Sequence, residues 1–293
     1  MLRTIEAVLN DLNPRTESAQ FRYCISISNG NTISVGAFSD AGPFYQIKVS
    51  ETAAFEDEYK AQLRGWQQHA DAVPKPIGRQ MRDGWDLFVA QGVHHQPLIF
   101  NPNGTGRVVD KLLDDLSHFF EVSAKFGKSS EAKPPAQQFL GVLEQHFKSS
   151  PFSSTAAYWI DQGRSLGVCD QPMIDQHGDF VVNNVAYSGR QLVVFDWEDF
   201  GKYQLPGLDI CSFCFSAVHN MQDLRALMWS EKIPASAIGK FIYRACHASG
   251  LEPDLFRRLM PLYLLGFLYA KREYSDAVQS RIGLAITHLT VSA

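Results

Sequence analysis

In the first third of the chain, apolar residues fall in short β-branched and aromatic runs; beyond it they recur at helical spacing. Phe21–Ile27, Thr32–Phe38 and Phe44–Val49 are separated by Ser28-Asn29-Gly30-Asn31 and Ser39-Asp40-Ala41-Gly42-Pro43. Apolar runs bounded by turn residues predict three strands, and Asn-Gly marks a hairpin. Glu51–Gln68 sets Phe55, Tyr59, Leu63 and Trp66 at helical spacing and predicts a helix. A second strand pair follows across Arg82-Asp83-Gly84, and its strand Trp85–Ala90 runs into Gln91-Gly92-Val93. Val108–Phe126 then carries Leu112, Leu113, Leu116, Phe119, Phe120 and Val122 on one broad apolar face. After a polar, Pro-containing connector at Gly127–Ala136, further helices are predicted at Gln137–Phe147, Ser154–Gly163, Leu208–Asn220, Met221–Ser230, Ala235–Ala248 and Pro253–Ser275, with one more at the C-terminus. A short hairpin interrupts them. Val181-Val182 and Val185-Ala186-Tyr187 form one strand, Ser188-Gly189 the turn, and Gln191–Phe195 a buried strand. The class predicted is α+β with two unequal lobes, β-rich over residues 1–93 and mainly helical over 94–293.

That hairpin carries the chemistry. His177-Gly178-Asp179 precedes it, Asn184 is set to face Asp196 across it, and Asp196 follows the apolar strand directly. A lone Asp at a strand end is usually a turn or cap residue; this ordered set is harder to explain so. One carboxylate can orient a hydroxyl and accept its proton, while an amide oxygen and a second carboxylate can hold Mg²⁺ against phosphates. The arrangement suits phosphoryl transfer from a Mg-bound nucleotide.

The pattern His177-Gly178-Asp179, four residues, Asn184, then Phe195-Asp196-Trp197-Glu198 resembles the aminoglycoside phosphotransferase and choline kinase-like family. The resemblance implies a protein-kinase-like fold, Asp179 as catalytic base, and Asn184 and Asp196 as Mg²⁺ ligands. Leu205-Pro206-Gly207-Leu208-Asp209-Ile210 is similar to a later family segment whose Asp braces the catalytic loop, so Asp209 takes that role here. The chain departs from the family in lacking an Asp before Pro206. His177 is read as a loop brace bonded to backbone.

The isolated Lys48 within an apolar strand is costly to bury unless it meets an anion. By the resemblance it holds the nucleotide phosphates and pairs with a helix carboxylate; Glu58 fits the family spacing to Leu63-Arg64, and Glu56 is the alternative. Asn29 and Gly30 stand where the family has its phosphate-covering loop, although an ordinary hairpin turn explains the same residues. Gln91 and Val93, at a hinge between lobes, offer backbone groups to the edge of the base of ATP or GTP. His94-His95 lacks further spaced metal ligands and reads as surface or pocket rim. The acceptor is expected to be a small hydroxyl compound (a sugar, amino alcohol or aminoglycoside), because only a dozen residues separate Asp196 from Asp209 and leave no platform for a peptide. Candidate walls of its pocket are Trp197, Glu198, Asp199, Tyr263, Tyr269, Arg272, Glu273 and Tyr274.

Composition sets outer bounds. A net charge of −4 and a pI near 6.1 argue against nucleic acid or an anionic membrane as the main partner. No apolar run is long enough for a membrane span, and the first residues do not read as a signal peptide. Five cysteines without framework spacing suit a reducing, cytoplasmic setting, with Cys211 and Cys214 read as buried thiols. Two rivals are a catalytically silent kinase-like binding protein and a metal-dependent hydrolase using His177, Asp179 and Asp196. The second would need further ligands that the local sequence does not supply.

Overall fold

A computed structural model describes residues 1–12, 21–27, 32–39, 44–127, 136–171, 174–218, 220–229 and 235–290. Two compact units divide them: Met1–Pro97 with Ala186–Glu198, and Leu98–Val185 with Asp199–Ala293.

In the first unit, α1 (Leu2–Leu12) precedes five strands, β1 (Phe21–Ile27), β2 (Thr32–Ser39), β3 (Tyr45–Ser50), β4 (Pro76–Arg82) and β5 (Trp85–Gln91), with α2 (Glu56–Gln68) between β3 and β4. The sheet is antiparallel in the order β1-β2-β3-β5-β4. Its two faces follow from the twofold alternation of strand side chains. Tyr45, Ile47 and Val49 of β3, with Leu87 and Val89 of β5, pack against Ile5, Val8 and Leu9 of α1. Phe88 and Ala90 point the other way and pack with Phe55 and Tyr59, so Lys48, between Ile47 and Val49, falls on that second face. The spacing Leu2, Ile5, Leu9, Leu12 was a legible amphipathic signal for α1, and the strand-centred reading passed over it.

The helix expected to begin at Glu51 begins at Glu56. Buried Asp86 on β5 accepts the backbone N–H groups of Ala54 and Phe55, each at 2.9 Å, and fixes the start of the helix there. Near the end of α2, Gly65 makes room for a ring: a Cβ on it would lie 2.3 Å from Trp197 Cε3. Trp197 is fully buried and donates its indole N–H to the Val194 carbonyl at 2.7 Å.

The hairpin consists of β7 (Val185–Ser188) and β8 (Gln191–Val194), with β6 (Gln96–Pro97) beside β7. Val181-Val182 is not part of the strand. Val182–Asn184 forms a 3-10 turn, because the Asn184 side-chain amide folds back to donate to the Asp179 carbonyl at 2.9 Å.

The second unit is helical: α3 (Arg107–Gly127), α4 (Ala136–Phe147), α5 (Ser153–Ser165), α6 (Leu208–Ala217), α7 (Met221–Trp229), α8 (Ala237–Ser249), α9 (Pro253–Arg258), α10 (Met260–Ala270) and α11 (Asp276–Thr290). Nearly every residue of α10 is buried, and it packs against α4, α5, α6, α9 and α11 as the centre of the unit. The single helix expected over Pro253–Ser275 is therefore two, followed by a turn. Pro261 lacks an N–H to continue α9, and it is accommodated in the first turn of α10 instead. Among the described residues, no helix is long and apolar enough to cross a membrane.

Candidate functional site

In the first unit, Lys48 Nζ lies 2.5 Å from Glu58 Oε1 and 3.6 Å from Asp196 Oδ1. Helix geometry decides which glutamate is within reach. Glu58 is buried toward the sheet, whereas exposed Glu56 pairs with Lys60 and Arg79. Burial alone would lower the pKa of Lys48; the carboxylates of Glu58, Asp196 and Glu198 outweigh it and hold the ammonium above its ordinary value. Lys48, Glu58 and Asp196 border a cavity of about 290 Å³ whose other walls include Phe88, Ala90, Val93, Phe195 and Trp197. This apolar slot with a few convergent charged groups is a form that small-molecule sites commonly take.

Asp196 has φ of +63°, left-handed backbone that Asp tolerates better than most residues. The turn ends β8 abruptly and brings oxygens of Asp196, Glu58 and Glu198 within 4.8 Å of one another. A cluster of hard oxygen donors is chemically suited to a divalent cation such as Mg²⁺. Glu198, expected on the acceptor wall, belongs to this set. Trp197, also expected there, is a buried packing residue that borders the Lys48 cavity.

Gln91 and Val93 both line the cavity, yet the hinge offers fewer free groups than expected. The amides of Gln91 and Gly92 already donate to Lys75 and Phe44 carbonyls, at 2.8 and 2.7 Å, and the Val93 carbonyl lies 3.0 Å from His95 Nδ1. His95 sits on the rim against Phe195. Asn29 and Gly30 lie outside the described residues.

In the helical unit, the segment 177–184 is tied down by one stripe of α6. Asp209 accepts the amides of His177 and Gly178 at 2.5 and 2.9 Å, Ser212 Oγ donates to the Phe180 carbonyl, and Ser216 Oγ accepts the Val182 amide. Asp209, Ser212 and Ser216 follow helical spacing on an otherwise apolar helix, a signal that could have found the two serines from sequence. Phe180 anchors the loop from beneath, packed between Phe119, Phe120 and Phe213. Gly178 has φ of +87°, and a Cβ there would meet Asp199 Cβ at 2.8 Å. His177 is buried, and its Nδ1 receives the Asp179 amide at 3.3 Å. Asp179 itself is held at both oxygens: Asn184 Nδ2 donates to Oδ2 at 3.1 Å, and Lys271 Nζ lies 2.7 Å from Oδ1.

Burial lifts the Asp209 carboxyl to about 7 from its ordinary 3.8, against the pull of the two amides it accepts. A folded-state pKa above the unfolded one means that its contribution is complete below about pH 4 and is lost as pH rises through about 7. The melting temperature of the wild type is expected to fall between mildly acidic and mildly alkaline buffer, and Asp209→Asn to flatten that slope. A steeper slope in the variant would refute the assignment.

The remaining expected acceptor residues divide between the helical core and a polar group around Arg272. Tyr263 is buried in α10, stacked on Phe256 at 5.0 Å, because that helix is apolar all round. Asp199 pairs with Lys202 at 3.0 Å, Arg272 lies over the Tyr269 ring, and the Glu273 side chain is 83% exposed. Cys211 and Cys214 are buried free thiols on α6.

No protein-family profile and no curated protein matches the sequence. Solved structures do. A provisionally named aminoglycoside phosphotransferase from Ralstonia eutropha superposes with a TM-score of 0.64 at 14% identity, over 99% of this chain and 94% of that one. The chain has the kinase-like fold. Choline kinase LicA from Streptococcus pneumoniae gives 0.59 at 13% identity, over 98% and 99%. Aminoglycoside phosphotransferase APH(4)-Ia gives 0.59 at 16%, over 98% and 99%. The expected fold is thereby borne out; identities this low carry the fold alone.

Proposed function

We propose that this protein is a cytoplasmic small-molecule phosphotransferase that moves the γ-phosphate of ATP or GTP to a hydroxyl. The observation that carries the reading is Lys48, held by buried Glu58 beside Asp196 on the wall of one apolar cavity. A nucleotide-binding slot needs a fixed cation for phosphate and carboxylate oxygens for its metal ion, and both converge there. A thermostable mutant of APH(4)-Ia, which has this fold, forms a ternary complex with ADP and hygromycin B, which supports nucleotide use here.

On this reading Lys48 binds the phosphates, and Gln91 and Val93 lie along the base. Asn184 and Asp196 would hold Mg²⁺, which when bound neutralises charge on the phosphates; Glu198 is a further oxygen donor beside Asp196. Asp179 orients the acceptor hydroxyl and takes its proton. The hydroxyl oxygen bonds to the γ-phosphorus, the bond to the β–γ bridging oxygen breaks, and the nucleoside diphosphate leaves. His177 and Asp209 keep Asp179 in place through the loop backbone.

Thermal unfolding with ATP or GTP, each with and without Mg²⁺, tests the reading. A nucleotide at roughly 100 times its Kd stabilises by about 2.7 kcal/mol, a readily measured shift. A Mg²⁺-dependent rise with one nucleotide is expected and identifies the donor. The absence of a rise with both would make the protein a kinase-like binding protein instead.

A further inference from the structure

Lys271 is a buried lysine of the helical unit. Its side chain is 2% exposed, directly after the apolar helix α10, and its ammonium meets Asp179 Oδ1 at 2.7 Å. The same Nζ lies 4.2 Å from the centre of the Tyr274 ring and 5.8 Å from that of Phe267. An ammonium is not buried so deeply without compensation, and here a carboxylate and an aromatic face supply it. Asn184 holds Oδ2 of Asp179 while Lys271 holds Oδ1, so the carboxylate is fixed from two sides.

The surrounding charges fit one kind of acceptor. Proteins recognise a cationic ligand with unpaired carboxylates or with open aromatic faces. Around Asp179 the chain's own cations occupy both devices: Lys271 on Asp179 and over Tyr274, Lys202 on Asp199, and Arg272 over Tyr269 at 4.4 Å. Lys271, Arg272 and Asp199 all act on Tyr203, so these groups share one neighbourhood. Beside them a cavity of about 280 Å³ is lined by Lys202, Arg272, Tyr203, Tyr269 and Gln138 and by no carboxylate.

We propose that Lys271 is the positioning residue of Asp179 and that, with Arg272, it excludes cationic acceptors, leaving a neutral or anionic hydroxyl compound as the substrate class. This rests on the phosphotransferase reading, in which Asp179 meets the acceptor hydroxyl. An acceptor ammonium beside that hydroxyl would face Lys271, while Asp179 and Asp199 are already paired with lysines of the chain.

The test uses the full chain, Lys271→Met and Lys271→Arg. Mg-ATP or Mg-GTP hydrolysis is followed with water as acceptor, and transfer is then compared among glucose, glucosamine and glucuronate. The Mg-nucleotide melting shift reports that each variant is folded and loaded. Lys271→Met is expected to lower kcat for hydrolysis roughly 10- to 100-fold through misplacement of the base, with KM for the nucleotide unchanged, and Lys271→Arg to recover most of it. Glucosamine is expected to be the poorest of the three sugars. Wild-type kcat in Lys271→Met, or preferred transfer to glucosamine, overturns the proposal while leaving the phosphotransferase reading intact. Neither hydrolysis nor a nucleotide shift in the wild type overturns both.

Discussion

Asp179→Asn is expected to lose phosphoryl transfer and to destabilise the protein in the same step. A positioned general base contributes roughly 10²- to 10⁴-fold, and turnover should fall by that factor while the Mg-nucleotide melting shift stays near its wild-type size. The second effect comes from Lys271. Removing one partner of a buried ion pair costs about 3–5 kcal/mol, because the other charge is left without compensation. The low end is expected, since an Asn side chain still offers the ammonium one oxygen. Urea unfolding of Asp179→Asn, Lys271→Met and the double variant measures it. The double variant should be more stable than Asp179→Asn alone, with a Met side chain lying against Phe267 and Tyr274 where the ammonium lay. Additive losses would mean that the pair contributes nothing specific. Full turnover in Asp179→Asn would refute the base assignment.

Asp196→Asn is expected to leave the free protein nearly unchanged and to weaken the loaded one. Asn tolerates the left-handed backbone at this position, so the substitution removes charge without adding strain. With no metal present, the lost charge both repels Glu58 and Glu198 and attracts Lys48 at 3.6 Å, so the melting temperature should change little. With Mg-nucleotide present, a ligand of the metal has been removed, and most of the roughly 2.7 kcal/mol expected at 100 Kd should disappear. Nucleotide without Mg²⁺ should bind both proteins alike through Lys48. An undiminished Mg-dependent shift in the variant would remove Asp196 from the metal site.

Much of this was legible in residue order. The three strands at Phe21, Thr32 and Phe44, the Asp83-Gly84 hairpin turn and the buried strand ending at Asp196 are local: twofold alternation and turn chemistry specify them within a few residues. The stretch from His177 to Glu198 points to its chemistry because its ligand types lie close in sequence. Harder to read were the features that depend on a distant partner. The start of α2 moved because Asp86, thirty residues on, captures the two amides just before it. Val182–Asn184 curled instead of extending because a side-chain amide competes with the strand ladder. Trp197 and Tyr263 resembled walls of the acceptor pocket until packing buried Tyr263 in α10 and Trp197 beside the Lys48 cavity.

By itself, then, the sequence determined the two composition zones, the strand that carries Lys48, and the ordered Asp179, Asn184 and Asp196, since periodicity and short-range spacing are properties of the chain alone. Tertiary structure decided which carboxylate Lys48 meets, that Glu198 joins Asp196, and that Lys271 reaches Asp179 across ninety-two positions. Electrostatic pairing falls off over a few ångströms of space and takes no account of distance along the chain, so only the fold could set those partners.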